Sequence, residues 1–391
     1  MHLLVSGWFW DQLATGSGQY LHGLVAHLPE VAPQHTYTLL LPAVRCPPPD
    51  ASGLGQPPPA GRASAVPAFW RVVWAATPFD RLSEDLAKLW FEQVAVPQAA
   101  RRLAAGVVLT PYWGSPARRP CPTAVTVHDL IPLLLPAYRD GLLPRLYTRL
   151  VAWTARRAHL VLTDSEASRQ DIVRHLGIPA DRVRAVPLAV AERFRPVTEP
   201  AELARARARY DLPERFVLYL GGFDVRKNVA RAMQAFALAT ARLPASAQDL
   251  CLVVAGRLPA ADTPFTPDPR RLATEAGVAD RVRFIGWVDE ADKPALYTLA
   301  QAFLFPSLYE GFGLPAAEAA ACGAAVVTSN RSSLPEAAPD AVLVDPEDVD
   351  SIAAGLVRAL TRSRPTPMRP RTWREVAVET VRAVEAVIGE R

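Results

Sequence analysis

The feature that most constrains the fold is a regular alternation of short apolar runs with helical patterns in the second half of the chain. Each apolar run is predicted to be a strand, and most neighbouring runs are separated by a segment of helical periodicity. Such alternation is typical of a parallel sheet whose strands are joined by right-handed helical crossovers. The predicted strands are Phe216–Leu220, Leu250–Ala255, Val282–Ile285, Ala302–Phe305, Ala324–Thr328 and Ala341–Val344.

The first half of the chain shows the same alternation, so a second α/β unit is predicted. Its predicted strands are 3–6, 36–41, 69–74, 107–110, 124–127, 160–163 and 183–186. Its predicted helices are 20–28, 82–103 with Pro97 kinking or splitting it, 142–157, and 166–175. Residues 42–67 carry two Pro-Pro-Pro triplets and are predicted to form an extended loop. Periodicity fades over 187–200, which predicts domains at 1–190 and 191–370, followed by a terminal helix over 371–391.

Composition excludes several classes of protein. The chain has 391 residues, a net charge of +4 and a pI of about 9.0, which is too mild to indicate a nucleic-acid partner. The four cysteines have no metal-type spacing, so we expect no metal site and a reducing, cytoplasmic compartment. The N-terminus does not resemble a signal peptide, and no run of about 18 apolar residues exists. Only three of the 43 basic residues are lysines: Lys88, Lys227 and Lys293.

The segment Glu310-Gly-Phe-Gly-Leu-Pro-Ala-Ala-Glu318 follows a predicted strand and enters a predicted helix. Its two glycines allow the backbone to approach a ligand closely, and a helix N-terminus near Leu314 offers free N–H groups that favour a phosphate. A carboxylate accepts two hydrogen bonds and can bind a vicinal diol of a sugar. The segment therefore predicts a site for a sugar diphosphate. The alternative is an acidic first helical turn behind a glycine-rich loop.

A second loop, Gly221-Gly222-Phe-Asp-Val-Arg226-Lys227-Asn228, also follows a predicted strand and precedes a helix. Its glycines permit a close turn, and its two cations near a helix start suit a diphosphate. The spacing of a Walker motif is absent. Because both loops follow the carboxyl ends of strands in one sheet, we expect them to face the same crevice.

Three further segments follow predicted strands and are weaker signals. His128-Asp129 is placed where a ligand cleft is expected, although such a pair is often only a turn. Gly16-Ser-Gly18-Gln-Tyr20 is placed between the first strand and the first helix, where a tight turn is the alternative. The backbone of Gly286-Trp287-Val288 is a candidate contact for a nucleobase, or a plain strand-to-loop turn.

Two charged segments have ordinary explanations. Asp348 and Asp350 are spaced like a metal-binding pair, but they open a helix and are predicted to cap it. Helix 142–157 carries Arg145, Arg149, Arg156 and Arg157. It is predicted to be a packed helix with a solvated basic face, and contact with an anionic membrane surface is the alternative.

Together these segments resemble glycosyltransferase family four, retaining enzymes with the GT-B fold, in which two Rossmann-like domains face each other across a cleft. The likeness covers nearly the whole length, and its last three segments are specific in combination. The segments that carry it are Gly16–Tyr20, His128-Asp-Leu-Ile-Pro132, Thr163-Asp-Ser-Glu166, Tyr219-Leu-Gly-Gly222, Arg226-Lys-Asn228, Glu310–Glu318 and Ser329-Asn-Arg-Ser-Ser-Leu-Pro-Glu336.

The resemblance implies a role for each candidate residue. The first domain would bind the acceptor, the second would bind the nucleotide-sugar, and the terminal helix would pack back toward the first. Arg226 and Lys227 would bind the donor diphosphate, and Glu318 would bind the ribose. Glu310 would bind the donor hexose. The remaining implied contacts are His128 beside the reacting sugar, Gly18 and Gly222 by the phosphates, Val288 at the base, and the backbone of Phe312, Gly313 and Leu314 at the hexose and phosphate.

The implied reaction is metal-independent transfer of a hexose from a nucleotide-sugar, with retention at the anomeric carbon. The motif variants look most like bacterial mannosyltransferases of polysaccharide or lipid-linked assembly, which favours GDP-mannose as donor. The expected acceptor is a saccharide or a lipid-linked saccharide, and the expected location is cytoplasmic, with peripheral contact at the inner membrane surface. The Trp8-Phe9-Trp10 cluster and the 42–67 insertion depart from the family pattern and leave the acceptor open. The alternatives are a UDP-glucose-dependent glucosyltransferase, a sugar-nucleotide epimerase of the same two-domain architecture and a non-enzymatic two-domain sugar-binding protein.

Overall fold

The chain, described from a computed structural model, forms two compact units. The described residues are 1–13, 15–46, 66–138, 141–244 and 249–389. The first unit comprises Met1–Leu188 and Trp373–Arg391, and the second comprises Ala189–Thr372. Most of the predicted loop over 42–67 lies outside the described residues.

The first unit is built on a seven-stranded parallel sheet with the strand order β3-β2-β1-β4-β5-β6-β7. Its strands, numbered along the chain, are β1 (His2–Ser6), β2 (Thr36–Pro42), β3 (Trp70–Ala75), β4 (Val107–Thr110), β5 (Thr123–Thr126), β6 (Leu160–Thr163) and β7 (Val183–Ala185). All seven predicted strands are confirmed to within one residue at either end. The connections run outward from the centre in both directions, so the strand order reverses between β1 and β4.

Helices cover the sheet of the first unit. They are α1 (Gly16–Val31), α2 (Glu84–Trp90), α3 (Val96–Arg102), α4 (Ile131–Leu134), α5 (Leu142–Arg157), α6 (Glu166–Asp171) and α14 (Trp373–Gly389). Short 3₁₀ turns lie at Pro136–Tyr138 and Ala180–Arg182, and π-helical turns lie at Phe91–Ala95 and Ile172–Leu176.

Two helix predictions for this unit were wrong in detail. The first helix begins at Gly16 and not at residue 20, because the Thr15 hydroxyl caps it by accepting from the backbone N–H of Gly18. The predicted helix over 82–103 is divided by the π turn Phe91–Ala95, and Pro97 stands in the first turn of α3. A proline tolerates that position because its missing N–H would have no helical partner there.

The terminal helix α14 belongs to the first unit and packs on α1. A Cβ added at Gly23 would lie 2.3 Å from the ring of Trp373, so this position requires glycine for close packing. At the other end of α14, the carboxylate of Glu385 lies 2.8 Å from Nε2 of His35.

The second unit contains a six-stranded parallel sheet with the order β10-β9-β8-β11-β12-β13. Its strands are β8 (Phe216–Leu220), β9 (Cys251–Ala255), β10 (Val282–Gly286), β11 (Ala302–Phe305), β12 (Val326–Ser329) and β13 (Val342–Val344). All six predicted strands are confirmed, and β8 and β11 have the predicted bounds. The strand order reverses between β8 and β11, at the centre of the sheet.

Helices also cover this sheet. They are α7 (Pro200–Arg209), α8 (Val229–Arg242), α9 (Pro269–Glu275), α10 (Lys293–Leu299), α11 (Leu314–Ala321), α12 (Leu334–Ala337) and α13 (Val349–Thr361), with 3₁₀ turns at Val225–Lys227 and Ala279–Arg281. The predicted capping role of Asp348 is confirmed, since its side chain accepts from the N–H of Asp350 at the start of α13. The apolar faces of α8 and α13 pack with the sheet into one buried core.

Both units are therefore Rossmann-like parallel sheets with helical crossovers, as the sequence predicts. Within the described residues, no helix is both long enough and apolar enough to cross a membrane.

Candidate active site

The candidate donor site lies where the strand order of the second unit reverses. β8 and β11 are hydrogen-bonded neighbours, and the loop that follows each of them leaves the same edge of the sheet. The first loop carries Arg226 and Lys227, and the second carries Glu310. In open α/β sheets the crevice at such a reversal, outside the carboxyl ends of the strands, is the usual ligand site.

The structure brings these three charged side chains into one ion-paired cluster. Arg226 Nη1 lies 2.6 Å from Glu310 Oε2, and Lys227 Nζ donates to Glu310 Oε1 at 2.7 Å. Arg226 also donates to the carbonyl of Tyr309, and its Nε lies 3.6 Å from Asp224. The side chains of Arg226, Lys227 and Glu310 are each between 11% and 13% exposed. The Glu310 carboxylate therefore holds the two cations side by side.

Polar residues between the two loops fix this arrangement. Ser307 donates to Glu310 Oε1 at 2.6 Å, and the N–H of Leu308 donates to the carbonyl of Arg226 at 2.8 Å. Asn228 adopts a left-handed backbone conformation with φ 59°, and its buried side-chain amide donates to the carbonyls of Pro306 and Pro346. The cation loop and the Glu310 loop are thus tied together by hydrogen bonds to backbone.

The backbone around Glu310 is fixed from the other side by two serines. The N–H of Glu310 donates to the hydroxyl of Ser332 at 3.0 Å, and Ser333 donates to the carbonyls of Glu310 and Phe312 at 2.9 and 2.8 Å. Gly313 has φ 99°, and a Cβ there would lie 2.7 Å from the side chain of Leu334. Glycine is therefore required at this position for both conformation and space.

The N-terminus of α11 follows Glu310 in the same loop. Gly313 is its N-cap and makes no side-chain capping bond, and Pro315 stands in the first turn. Among the described residues, nothing accepts a hydrogen bond from the backbone N–H of Gly313 or of Leu314. Two unsatisfied N–H groups at the positive end of a helix dipole form an anion-binding position.

Burial and charge act on the cluster in opposite ways. Burial raises the pKa of the Glu310 carboxyl, but Lys227 and Arg226 outweigh it, so that this pKa lies below its usual range. Burial lowers the pKa of the Lys227 ammonium. The Glu310 carboxylate raises this pKa but does not fully offset burial, and repulsion from Arg226 lowers it further. Burial is thus the main reason that the pKa of the Lys227 ammonium lies below its usual value.

Glu318 lies in a different environment from the cluster. It is 5% exposed on α11, and Tyr297 Oη donates to its Oε2 at 3.2 Å. Burial raises its pKa to about 7, and the nearby Lys293 only partly offsets that effect. The structure thus brings Arg226, Lys227 and Glu310 together, while Glu318 contacts none of the three.

The other predicted contacts of the second unit border this edge of the sheet. Gly222 follows β8, and its carbonyl accepts from Tyr219 Oη at 2.9 Å. Val288 is buried in the loop after β10, close to Gly286, whose φ is 71°. Their implied roles at the phosphate and the base stay predictions.

In the first unit, His128 follows β5 and is fixed by a carboxylate. Its Nδ1 lies 2.7 Å from Asp164 Oδ2, and its Nε2 lies 3.3 Å from the carbonyl of Pro111. The Tyr20 ring stands edge-on to the imidazole, with the ring centroids 5.1 Å apart. Burial lowers the pKa of His128, but the Asp164 carboxylate and the nearby Asp129 outweigh it and raise this pKa above its usual value. Both ring nitrogens therefore face acceptors.

Gly18 has a structural explanation that the sequence did not reveal. It lies inside α1, and its N–H donates to the Thr15 hydroxyl at 3.1 Å. A Cβ at this position would lie 2.0 Å from the carbonyl oxygen of Gln12, so only glycine fits. Its implied contact with the donor phosphates stays a prediction.

Sequence reasoning gave no supporting role to the side chains that hold the charged ones, although four of them lie in the segments that carry the family resemblance. These are Ser307, Ser332, Ser333, Asn228, Tyr297 and Asp164. A polar residue directly after the proline that ends a buried strand was the available signal for Ser307. Within the described part of the chain, no three His, Cys, Asp or Glu side chains are grouped to hold a metal ion.

Comparison with known proteins agrees with this architecture. Residues 14–193 match the family model described as Glycosyltransferase Family 4, and residues 201–374 match Glycosyl transferases group 1. The O-antigen chain mannosyltransferase B of Escherichia coli is 35% identical over 256 residues, which cover 64% of this chain and 62% of that protein. The match therefore spans less than two thirds of this relative.

Two solved structures share the fold. Sucrose-phosphate synthase from Thermosynechococcus elongatus has a TM-score of 0.67 at 22% identity. The match covers 100% of this chain and 97% of the synthase chain. Anabaena Alr3699/HepE, in complex with UDP-glucose, has a TM-score of 0.62 at 15% identity, and covers 100% and 99%. The likeness to these structures over the whole chain confirms the predicted GT-B fold class.

The chain therefore belongs to the glycosyltransferases. Its first unit is a Family 4 domain, and its second is a group 1 domain.

Proposed function

We propose that this protein transfers a hexose from a nucleotide-sugar to a saccharide or lipid-linked acceptor in bacterial glycan assembly. The observation that carries this proposal is the cluster of Arg226, Lys227 and Glu310 beside the open N-terminus of α11, at the strand-order reversal of a group 1 domain. Fixed cations and unsatisfied N–H groups at one point are the features that a diphosphate needs.

The donor is proposed to be GDP-mannose. The support is the similarity to a bacterial mannosyltransferase of O-antigen chains. UDP-glucose is the alternative, since a protein of the same fold is known in complex with it.

In the proposed complex the diphosphate replaces Glu310 as the partner of the two cations. Arg226 and Lys227 would then bind the phosphate oxygens together with the N–H groups of Gly313 and Leu314. The released Glu310 carboxylate would accept hydrogen bonds from hydroxyls of the hexose. The ion pairing of the free protein thus keeps the cations in place for the donor, at a smaller ordering cost on binding.

The proposed chemistry is retention without a protein nucleophile. The bond between the anomeric carbon and the phosphate oxygen breaks, and a bond from the acceptor oxygen to the same face of that carbon forms. The proton of the acceptor hydroxyl passes to the leaving phosphate oxygen. Arg226 and Lys227 stabilise the negative charge that develops on the diphosphate, so we propose that they do the work that a divalent cation does elsewhere.

His128 is proposed to lie beside the reacting sugar. Asp164 fixes its ring orientation and keeps a proton on Nδ1, so the imidazole would donate a hydrogen bond or present positive charge. Both ring nitrogens already face acceptors, so the imidazole is not arranged as a general base, which is consistent with the leaving phosphate accepting the proton.

A thermal-shift panel tests the donor. GDP-mannose is expected to raise the unfolding temperature more than UDP-glucose or ADP-glucose, because a ligand bound only by the native state stabilises it by about 2.7 kcal/mol at 100 times its Kd. A larger shift with UDP-glucose would replace the proposed donor, and no shift with any of the three would contradict the donor site. Release of GDP that depends on an added glycan fraction separates a transferase from a protein that only binds sugars.

We also propose that α5 contacts the cytoplasmic membrane surface, which would place the protein at the inner face of that membrane. Leu142, Leu143, Leu146 and Trp153 are exposed on this helix, and Leu143 is 78% exposed. The helix carries four arginines and no acidic residue. Apolar and basic side chains on one exposed helix suit an anionic lipid surface.

Vesicle co-sedimentation tests this contact. The protein is expected to bind vesicles that contain anionic lipid, and to bind much less to zwitterionic vesicles or after Leu143→Ser. The matched control is Leu343→Ser, which removes an exposed leucine of the second unit. Equal binding by Leu143→Ser and the unmodified protein would exclude α5 as the contact.

A further inference from the structure

The strand-order reversal of the first unit carries a cluster of polar and aromatic side chains that the proposed reaction does not use. Ser6 ends β1, Tyr112 lies two residues after the end of β4, and their hydroxyls are 2.8 Å apart. The edge of the sheet at such a reversal is the usual ligand position of a Rossmann-like unit. The charged groups proposed to bind the donor diphosphate, Arg226 and Lys227, belong to the second unit, and no residue of this cluster has a role in donor binding.

Lys88 is the centre of this cluster. Its ammonium lies over three aromatic rings, 5.3 Å from the centroid of Phe9, 5.6 Å from that of Tyr112 and 4.9 Å from that of Tyr147. Three rings fix the ammonium in one place by cation–π attraction. The chain contains 40 arginines and three lysines, so a lysine at this position is unusual for this sequence.

The ammonium of Lys88 lacks hydrogen-bond acceptors. Across residues 1–13, 15–46, 66–138, 141–244 and 249–389, no group accepts a hydrogen bond from Nζ, and the carboxylate that pairs with it, that of Glu92, lies 3.8 Å away. The side chain is 22% exposed, so a ligand can reach it. An ammonium has three N–H donors, and aromatic rings satisfy its charge only in part.

Glu92 is a distant counter-charge for this lysine, since its Oε1 lies 3.8 Å from Nζ and no hydrogen bond joins the two side chains. It is fully buried in the π turn Phe91–Ala95, and Tyr147 Oη lies 3.0 and 3.1 Å from its two oxygens. Burial raises its pKa to about 8, against the lowering effect of Lys88 and Tyr147. The backbone of Gly114 is packed on it so closely that a Cβ there would lie 2.5 Å from Oε1. A π turn within a helix is frequently a functional feature.

We propose that Lys88 forms an acceptor subsite at the carboxyl ends of β1 and β4, where it binds an anionic oxygen, of a phosphate or a carboxylate, carried by the acceptor. The partly exposed rings of Phe9 and Tyr147 would pack against the apolar face of the acceptor sugar. A charge-assisted bond from an ammonium to an anionic oxygen is about twice as strong as a neutral one, which favours an anionic acceptor group over a plain hydroxyl. This inference rests on the proposed function, because it is that reaction which needs an acceptor.

Because the chain has only three lysines, the test can follow each lysine side chain by its own signal. Protein labelled with ¹³C at lysine Cε gives three side-chain signals, from Lys88, Lys227 and Lys293, and each is assigned by the loss of one signal in a Lys→Met variant. The labelled protein is first saturated with GDP, which is expected to move the Lys227 signal. Mannose 6-phosphate is then added, with methyl α-mannoside as the neutral probe and inorganic phosphate as the anion without a sugar.

Mannose 6-phosphate is expected to shift the Lys88 signal saturably, and inorganic phosphate to shift it at higher concentration. Methyl α-mannoside should leave it unchanged. In calorimetry, Lys88→Met should weaken mannose 6-phosphate binding at least about tenfold, whereas Lys88→Arg should retain most of it. Methionine fills the aromatic cage without charge, and the arginine variant keeps the test valid if the methionine variant does not fold.

A Lys88 signal that does not respond to either anion, or equal affinity in Lys88→Met, would overturn the subsite and leave Lys88 as a packing residue. Failure of the proposed donor function gives a different result, since the Lys227 signal would then fail to respond to GDP.

Discussion

Replacing Lys227 by alanine is expected to lower glycosyl transfer by about 10²- to 10³-fold, the usual effect of removing one fixed group that stabilises transition-state charge. The ammonium donates to Glu310 at 2.7 Å and is 13% exposed, so it is already oriented before the donor binds. Without it, the charge that develops on the diphosphate would lose one of its two side-chain cations. The measurement is the initial rate of transfer with the donor that the thermal-shift panel identifies.

The protein should remain folded in this variant. Glu310 keeps its contact with Arg226 Nη1 at 2.6 Å, and the removed ammonium was itself destabilised by burial. The unfolding temperature should therefore change little. The matched control is Arg242→Ala, which removes an exposed cation from α8 that pairs with Asp350 at the protein surface. Wild-type turnover by Lys227→Ala would remove the lysine from the proposed mechanism.

The strands could be predicted almost to the residue. Phe216–Leu220 and Ala302–Phe305 have the predicted bounds because both are central strands, buried on both faces, whose apolar runs end at glycine or proline. Helix ends were predicted less well. The start of α1 at Gly16 depends on one hydroxyl cap, which outweighs the low helix propensity of the Gly-Ser-Gly segment. The π turn at Phe91–Ala95 was not predicted, because the pattern of apolar residues does not distinguish a π turn from an α-helix.

The site could be predicted at the level of loops but not of contacts. The rule that ligands bind at the carboxyl ends of strands correctly placed Arg226, Lys227 and Glu310 together. Their ion pairing was not predictable, since sequence spacing does not give the direction of a side chain in a loop. For the same reason the sequence did not show that Glu318 accepts a hydrogen bond from Tyr297 of the preceding helix α10.

Support for the charged residues comes from side chains whose contacts the sequence did not indicate. Asn228 takes a left-handed conformation and bonds two carbonyls that lie 78 and 118 residues away along the chain. Asp164 fixes His128 across 36 residues. Such long-range partners are set by the packing of neighbouring strands, so a single sequence does not reveal them.

Replacing Glu310 by alanine is expected to cost the second unit about 3 kcal/mol of stability and to abolish transfer, because it leaves two largely buried cations without their common partner. The carbonyl of Tyr309 and the side chain of Asp224 still face Arg226, whereas Lys227 loses its only ion-pair partner among the described residues. The loss of stability should lie at the lower end of the range that is typical when one partner of a buried ion pair is removed, because the remaining buried ammonium can release its proton. Urea unfolding at pH 7 measures it.

The dependence of this loss on pH separates charge pairing from packing. The pKa of Glu310 in the folded protein lies below its ordinary value of 4.5, so its contribution is present in full above about pH 4.5. It is lost as the pH falls through the folded pKa, where the carboxyl becomes protonated in both states. The difference in unfolding free energy between the unmodified protein and Glu310→Ala should accordingly shrink in acid.

Glu310→Gln is the informative companion, because it keeps the shape and one acceptor oxygen and removes only the charge. It should lose most of the stability that alanine loses at pH 7, and it should show the same convergence in acid. The surface control is Glu347→Ala, whose exposed carboxylate pairs with Arg331 and should contribute little at any pH. If Glu310→Gln were as stable as the unmodified protein, the negative charge of Glu310 would contribute nothing to the stability of the cluster, and the proposed charge pairing would be wrong.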